Sequence, residues 1–363
     1  MKKEYVLAIN PGSTSTKIAV YRELEEVFVE KIEHPSSELE HFDKITDQEE
    51  YRTIEIKKVL KKQNIELEAL KAVVGRGGLL RPMPGGTYLV TDPMIKDLKD
   101  AIQGEHAANL GGIIAKDIGD EMGIDSFIVD PVAVDEMDDV ARISGIPQIT
   151  RRSLGHALNI KAVSHRYADN ENREFKDLNL VVAHLGGGIS VAPVEHGKIK
   201  DYNNANEMGP FSPERTGGLP VGDVVKMCFS GQYSLAEMKK KIKGKGGIVS
   251  YLDTNDLKEV VEMVEKGDVR AQIIFDAMAY QIGKEIGSMA TVLKGNVDAI
   301  VITGGMAYSK ALCEFIEKMV SFIAPVVVYP GEDEMKALNE GVHRVMKGQE
   351  VPKKYEKEVQ IND

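Results

Sequence analysis

The chain has 363 residues, enough for about two domains that each bury a core of their own. Apolar residues make up 42% and charged residues 28%, a balance that excludes a disordered chain, and a net charge of −11 argues against nucleic acid as a main partner. The apolar run in "MKKEYVLAIN" is too short for a signal peptide, and no stretch approaches the roughly twenty apolar residues of a membrane helix. Cys228 and Cys313 read as buried thiols of a reducing compartment, so the expectation is a cytoplasmic protein with no membrane partner.

In chain order, "YVLAINPGSTSTKIAVY" predicts strand, Gly-bearing turn, strand, with a third strand around 27–32. "EEYRTIEIKKVLKKQ" follows as a charged helix, then "KAVVGR" as a strand, helices over 93–103 and 106–122, and "FIVD" as a strand. "LNLVVAHLGGGISVAPVEHGKIKDY" then repeats the opening pattern of strand, glycine turn, strand, turn and strand. A helix after Pro220, a long helix over 269–293 and the strand "AIVITGG" complete the second half. The two copies lie roughly 175 residues apart, a domain-sized spacing. They predict a duplicated α/β domain with a ligand cleft between the copies. The boundary is set within "PQITRRSLGHALNIKAVSHRY", giving domains 1–152 and 153–333. The segment 334–363, amphipathic over 334–347, is expected to form a C-terminal helix able to pack on either of them.

The first turn offers open backbone N–H groups, the hydroxyls of Ser13 and Ser15, and the cation Lys17, a combination that binds phosphate. It is not a Walker loop, because it joins two strands rather than a strand and a helix. The second turn, His184-Leu-Gly186-Gly187-Gly188, repeats the same logic. A third glycine site, Gly304-Gly305 in "VITGGMAYS", lies between a strand and a helix, where a ligand can approach the positive helix end. Arg76 and Asp130 end strands, and strand C-termini are where α/β sheets bind ligands; Asp130 is a candidate for orienting Mg²⁺ or its waters. His156 stands near Arg151 and Arg152, so a structural role and an anionic ligand are equally open. His34, His41, His165, His196 and His343 read as surface or packing residues. No zinc spacing, Ser-His-Asp set or nucleophile elbow is present, which disfavours covalent catalysis.

At these residues the chain resembles the acetate and butyrate kinase family, within the actin-like, sugar kinase and heat-shock ATPase superfamily. "INPGSTSTK" resembles the family's first signature and implicates Asn10, Gly12, Ser13, Ser15 and Lys17. "AHLGGGISV" resembles the second, His184 through Ser190, and "VITGGMAYS" resembles the adenosine turn, with Gly304, Gly305 and Met306. "EHAANLGGI" and "RRSLGHALN" are similar to family segments and suggest roles for His106 and His156. The wording "NPGSTSTK" and the short length are similar to butyrate kinases in particular. "PERTGGLPVGD" departs from the family's second arginine motif, leaving Arg215 as the candidate for that role. An acidic residue near Mg²⁺ is implied at Glu334, with Glu332 and Asp333 as alternatives.

The resemblance implies two duplicated actin-like (ribonuclease H-like) domains with mixed central sheets. It implies reversible Mg²⁺-dependent phosphoryl transfer from ATP to a short-chain carboxylate, giving an acyl phosphate and ADP. Arg76 would hold the carboxylate, Arg215 and His156 the transferring oxygens, Asp130 and Glu334 the metal, and a homodimer or higher homo-oligomer is expected. The alternatives are an acetate or propionate kinase of the same family and an actin-like ATPase without a metabolic substrate.

Overall fold

A computed structural model describes residues 4–359. In chain order the elements are β1 (Tyr5–Pro11), β2 (Ser15–Arg22), β3 (Glu25–Glu33), α1 (Glu49–Lys62), β4 (Leu70–Arg76), β5 (Thr87–Leu89), α2 (Asp92–Lys99), α3 (Asn109–Met122) and β6 (Asp125–Val129). There follow α4 (Ala157–Asn170), β7 (Asn179–Leu185), β8 (Ile189–Glu195), β9 (Lys198–Ile199), α5 (Val221–Phe229), α6 (Leu257–Glu265), α7 (Val269–Val292), β10 (Ala299–Gly304), α8 (Lys310–Val320) and β11 (Val326–Pro330). Then come α9 (Glu334–Met346) and β12 (Lys353–Lys354), followed by one helical turn, Tyr355–Glu358. The chain divides into two compact units: the first runs to Asp135 and resumes at Asp333, and the second is Glu136–Glu332.

The first unit is built on a mixed sheet of order β12-β5-β6-β4-β1-β2-β3. β1, β2 and β3 are antiparallel neighbours, whereas β4 and β6 run parallel to β1. Strands covered on both faces lose the alternation of half-buried ones, and Val6, Leu7, Ala8 and Ile9 of β1 are all buried. Leu7, Ile9, Ile18 and Val73 meet Ile56 and Leu60 of α1 and Leu110 and Ile114 of α3 in one apolar cluster. α3 crosses β4 closely: a Cβ on Gly75 would stand 1.9 Å from the Gly111 carbonyl oxygen, so only glycine fits. α9 returns to this unit and packs on β1, β4 and β6 through Met335, Leu338 and Val342.

The second unit has the order β11-β10-β7-β8-β9, again three antiparallel strands with two parallel ones beside the first. Its core joins Val181, Ala183, Ile300 and Ile302 of the sheet to Met278, Ile282 and Ile286 of α7 and Ile316 of α8. The series β3-β2-β1-β4-β6 in one unit and β9-β8-β7-β10-β11 in the other is the same topology twice, the duplication expected from the paired glycine hairpins.

Several local expectations are corrected. The helix after "PVVVYPG" ends at Met346 and does not continue to 363, because Gly348 takes φ +71 and the chain turns into β12. Residues 360–363 of that segment lie outside the described residues. The helices over 93–103 and 106–122 are shorter, at Asp92–Lys99 and Asn109–Met122. A 3₁₀ turn, Gly305–Tyr308, comes between the Gly304-Gly305 step and α8. Cys228 is exposed on α5, a helix with no buried residue, while Cys313 is buried. Among the described residues no helix is long and apolar enough to cross a membrane.

Candidate active site

In the first unit, Asn10, Arg76 and Asp130 stand at the C-terminal ends of the neighbouring strands β1, β4 and β6. The Asn10 amide donates to Oε2 of Glu334, and Arg76 forms an ion pair with Oε1 of the same carboxylate, presented by the first turn of α9. Of the acids of "GEDE", Glu334 thus meets Arg76. Asp333 caps α9 by accepting from the Lys336 N–H at 3.0 Å, and Glu332 lies in the second unit. Asp130 is buried and takes φ +37, a strained value for a residue with a side chain. It is held there by Gly86, whose N–H donates to Oδ1 at 2.7 Å and whose carbonyl accepts the Asp130 N–H at 3.0 Å.

The turn between β1 and β2 is closed by the Gly12 N–H donating to the Ser15 carbonyl at 2.7 Å. Ser13, Thr14 and Lys17 are exposed and Ser15 is half-buried, whereas Thr16 is fully buried and points inward. The hydroxyl run is thus split between outward and inward groups. His106 lies away from this turn in sequence and accepts from the Ala108 N–H at 3.1 Å, at the entry to α3.

In the second unit, His184 near the end of β7 is fully buried. Asn159 of α4 donates its amide to Nδ1 of His184 at 2.8 Å and to the Thr303 hydroxyl at 3.1 Å. With Nδ1 accepting, the network assigns the ring proton to Nε2, which lies 3.6 Å from Glu332. Burial, and then the neighbouring His156, hold the His184 pKa well below its ordinary value, so the ring is neutral. His156 stacks on it at 3.9 Å between ring centroids and 13° between planes, with Nδ1 paired to the Ser190 hydroxyl at 2.9 Å. His156, His184 and Glu332 thus come together. Each of the three offers one ligand atom, and these atoms all lie within 4.8 Å of one another, so the cluster is a place where a cation could be held.

Gly186, Gly187 and Gly188 form the turn after β7, and Arg215 lies against it: a Cβ on Gly188 would stand 2.3 Å from Nη1. That nitrogen donates to the Ala205 carbonyl at 2.9 Å and to Asn206 at 3.3 Å, and burial lowers the Arg215 pKa. Arg151, part of the cationic setting read around His156, is committed to an internal ion pair with Asp201 at 2.8 Å. Beside the turn opens a cavity of about 680 Å³, lined by Gly186, Gly187, Asn255, Lys258, Gly305 and Met306 among others. Such a volume is ordinary for a site that takes a cofactor. Its α6 wall was not marked by the sequence, since an amphipathic nine-residue helix looks the same whether its polar edge faces water or a ligand.

The sequence pattern of the acetokinase family matches residues 145–325. "Butyrate kinase 2" of Clostridium acetobutylicum is 55% identical over 351 residues, covering 96% of this chain and 99% of its own. "Probable butyrate kinase 2" of Caldanaerobacter subterraneus is likewise 55% identical, over 350 residues, with 96% and 99% covered. The chain belongs to the acetokinase family. Acetate kinase of Porphyromonas gingivalis superimposes with a TM-score of 0.77 at 20% identity, over 93% of this chain and 99% of that one. This likeness concerns the fold, an actin-like architecture of two mixed sheets.

Proposed function

We propose that the protein is a butyrate kinase, moving the γ-phosphoryl group of ATP reversibly onto butyrate to give butyryl phosphate and ADP. The observation that carries this reading is 55% identity to a butyrate kinase along 96% of the chain. A carboxylic acid with a pKa of about 4 to 5 is already ionised at pH 7, so no general base is required. A carboxylate oxygen attacks the γ-phosphorus, the bond to the β-phosphate oxygen breaks, and ADP leaves with its electron pair; no proton moves. The barrier is repulsion between anions, and positioned donors lower it.

Arg76 receives the acid, which is supported by its present grip on a carboxylate, that of Glu334. Asn10, Gly12, Ser13, Ser15 and Lys17 meet the γ-phosphate. His156, Arg215 and the neutral Nε2–H of His184 stabilise the transferring oxygens, and Gly186, Gly187 and Gly188 hold the inner phosphates. The adenosine lies in the 680 Å³ cavity, against Gly304, Gly305 and Met306. The hard carboxylate oxygens of Glu334 and Asp130 fit Mg²⁺, which prefers one or two carboxylates plus phosphate oxygens. When bound, that ion would supply charge neutralisation. Glu334 cannot serve Arg76 and a cation at full strength together, so Arg76 becomes available to the acid as Glu334 turns from it. A cytoplasmic location and a homo-oligomeric state belong to the same reading; light scattering on the purified protein tests the last.

Trapping acyl phosphate as hydroxamate, from acetate through butyrate, isobutyrate and valerate, tests the function. Highest turnover with butyrate is expected. Preference for acetate or propionate would move the protein to the other acids of the family, and no hydroxamate from any of them would overturn the reading.

A further inference from the structure

One buried charge in the first unit has no place in the mechanism above. Arg52 of α1 is fully buried, and among the described residues its partners are all neutral. Nη1 donates to the Gly12 carbonyl at 2.8 Å, the Ser15 carbonyl at 3.0 Å and the Thr16 hydroxyl at 3.0 Å. Nη2 donates to the Ser13 carbonyl at 3.0 Å and, with Nε, to Oε1 of Gln48 at 2.7 and 3.0 Å. Three carbonyls of one short turn are therefore drawn back onto a single guanidinium.

In a trans peptide the N–H points opposite the C=O. Drawing back the Gly12 and Ser13 carbonyls turns the N–H groups of Ser13 and Thr14 outward, and neither donates to another backbone group among the described residues. The charge is equally directed. Burial lowers the Arg52 pKa only to about 10, so it remains a cation at neutral pH. Its neighbour His34 stays neutral, since burial and the charge of Arg52 push its pKa down to about 4; its Nε2 pairs, at 2.8 Å, with the Thr16 hydroxyl that accepts from Arg52. A buried cation without a counter-ion is costly. Here it stands directly behind outward-facing N–H groups, where an anion on the turn would compensate it.

We propose that Arg52 is a positioning residue that shapes and charges the 12–16 turn for the terminal phosphate of ATP. This rests on the reading of that turn as the γ-phosphate site. In folded Arg52→Met, KM for ATP should rise at least tenfold, with KM for butyrate and the Kd of ADP within twofold of the unaltered protein. ADP lacks the phosphate concerned, and butyrate reports that the first unit is intact. Gln48→Met, which loosens the guanidinium while keeping its charge, should raise KM for ATP a few-fold in the same selective way. An unchanged KM for ATP in Arg52→Met, or in Gln48→Met should the first variant fail to fold, overturns the proposal. Equal losses for ATP, ADP and butyrate would mean a merely structural role and overturn it too. Lys17→Ala and Ser13→Ala separate the two layers. If they impair ATP while Arg52→Met does not, only the role of Arg52 falls; if they leave ATP untouched as well, the phosphate reading of the turn fails.

Discussion

The two glycine turns come from matching positions of a duplicated sheet, yet they are held in different ways. The first, after β1, is rich in hydroxyls and is gripped from behind by the buried guanidinium of Arg52. The second, after β7, is glycine alone, with an arginine against Gly188 and a stacked histidine pair beside it. One turn takes its shape from side chains behind it; the other makes room for side chains in front. Equivalent backbone is thus held in two different ways in the two units.

The comparison breaks most sharply at Arg76. Arg76→Ala removes the cation that meets Glu334 in the first unit and leaves the second unit untouched. Turnover of butyrate should fall by about 10³-fold or more, the scale of losing a principal transition-state donor, while ADP affinity holds within about threefold. Steady-state kinetics with calorimetric ADP titration checks both. Near-normal activity would remove Arg76 from the mechanism.

A paired substitution sharpens it further. A Cβ on Gly12 would meet the Ser15 carbonyl oxygen at 3.4 Å, an ordinary contact, so Gly12→Ala should keep activity within about threefold. A Cβ on Gly188 falls 2.3 Å from the Arg215 guanidinium. The far end of that side chain can swing away, so Gly188→Ala should cost little thermal stability. It should nonetheless lower turnover about 10- to 100-fold, because Arg215 leaves its place on Ala205. Equal effects at the two glycines would show that the turns are interchangeable.

How legible these features are in sequence follows from the range of the forces involved. Both hairpins, and Arg76 and Asp130 at strand ends, are visible because alternation and turn chemistry are local. Arg52 is not, since in "EEYRTIEIKKVLKKQ" it looks like any cation on a solvated helix; only the packing of α1 under the turn buries it. Asn159 is hidden likewise, because its partners His184 and Thr303 lie 25 and 144 residues away. Cys228 misleads in the opposite sense: an apolar neighbourhood suggests burial, but α5 has no buried face among the described residues.

The smallest effect concerns the support behind the first turn, and it is a matter of pH. Burial, and then the charge of Arg52, push the pKa of His34 down to about 4 from 6.5; the carboxylates of Glu55, Glu33 and Glu38 pull weakly the other way. Between those values the unfolded chain binds the proton and the folded one does not, so stability falls as pH falls. The contribution of His34 is fully present above pH 6.5 and is lost progressively toward pH 4. By pH 5.5 the loss should reach about 1 kcal/mol. His34→Gln, which cannot take up the proton, should reduce the slope of this part of the stability profile measured by urea unfolding, leaving the share of the other buried histidines. Beside the second turn the buried His184, its pKa also held low, adds a slope of the same sign, and Gly188→Ala should leave that slope in place because a Cβ there meets Arg215 and not the ring. A slope undiminished by His34→Gln would show that the proton goes elsewhere, with buried His184 as the next group to test.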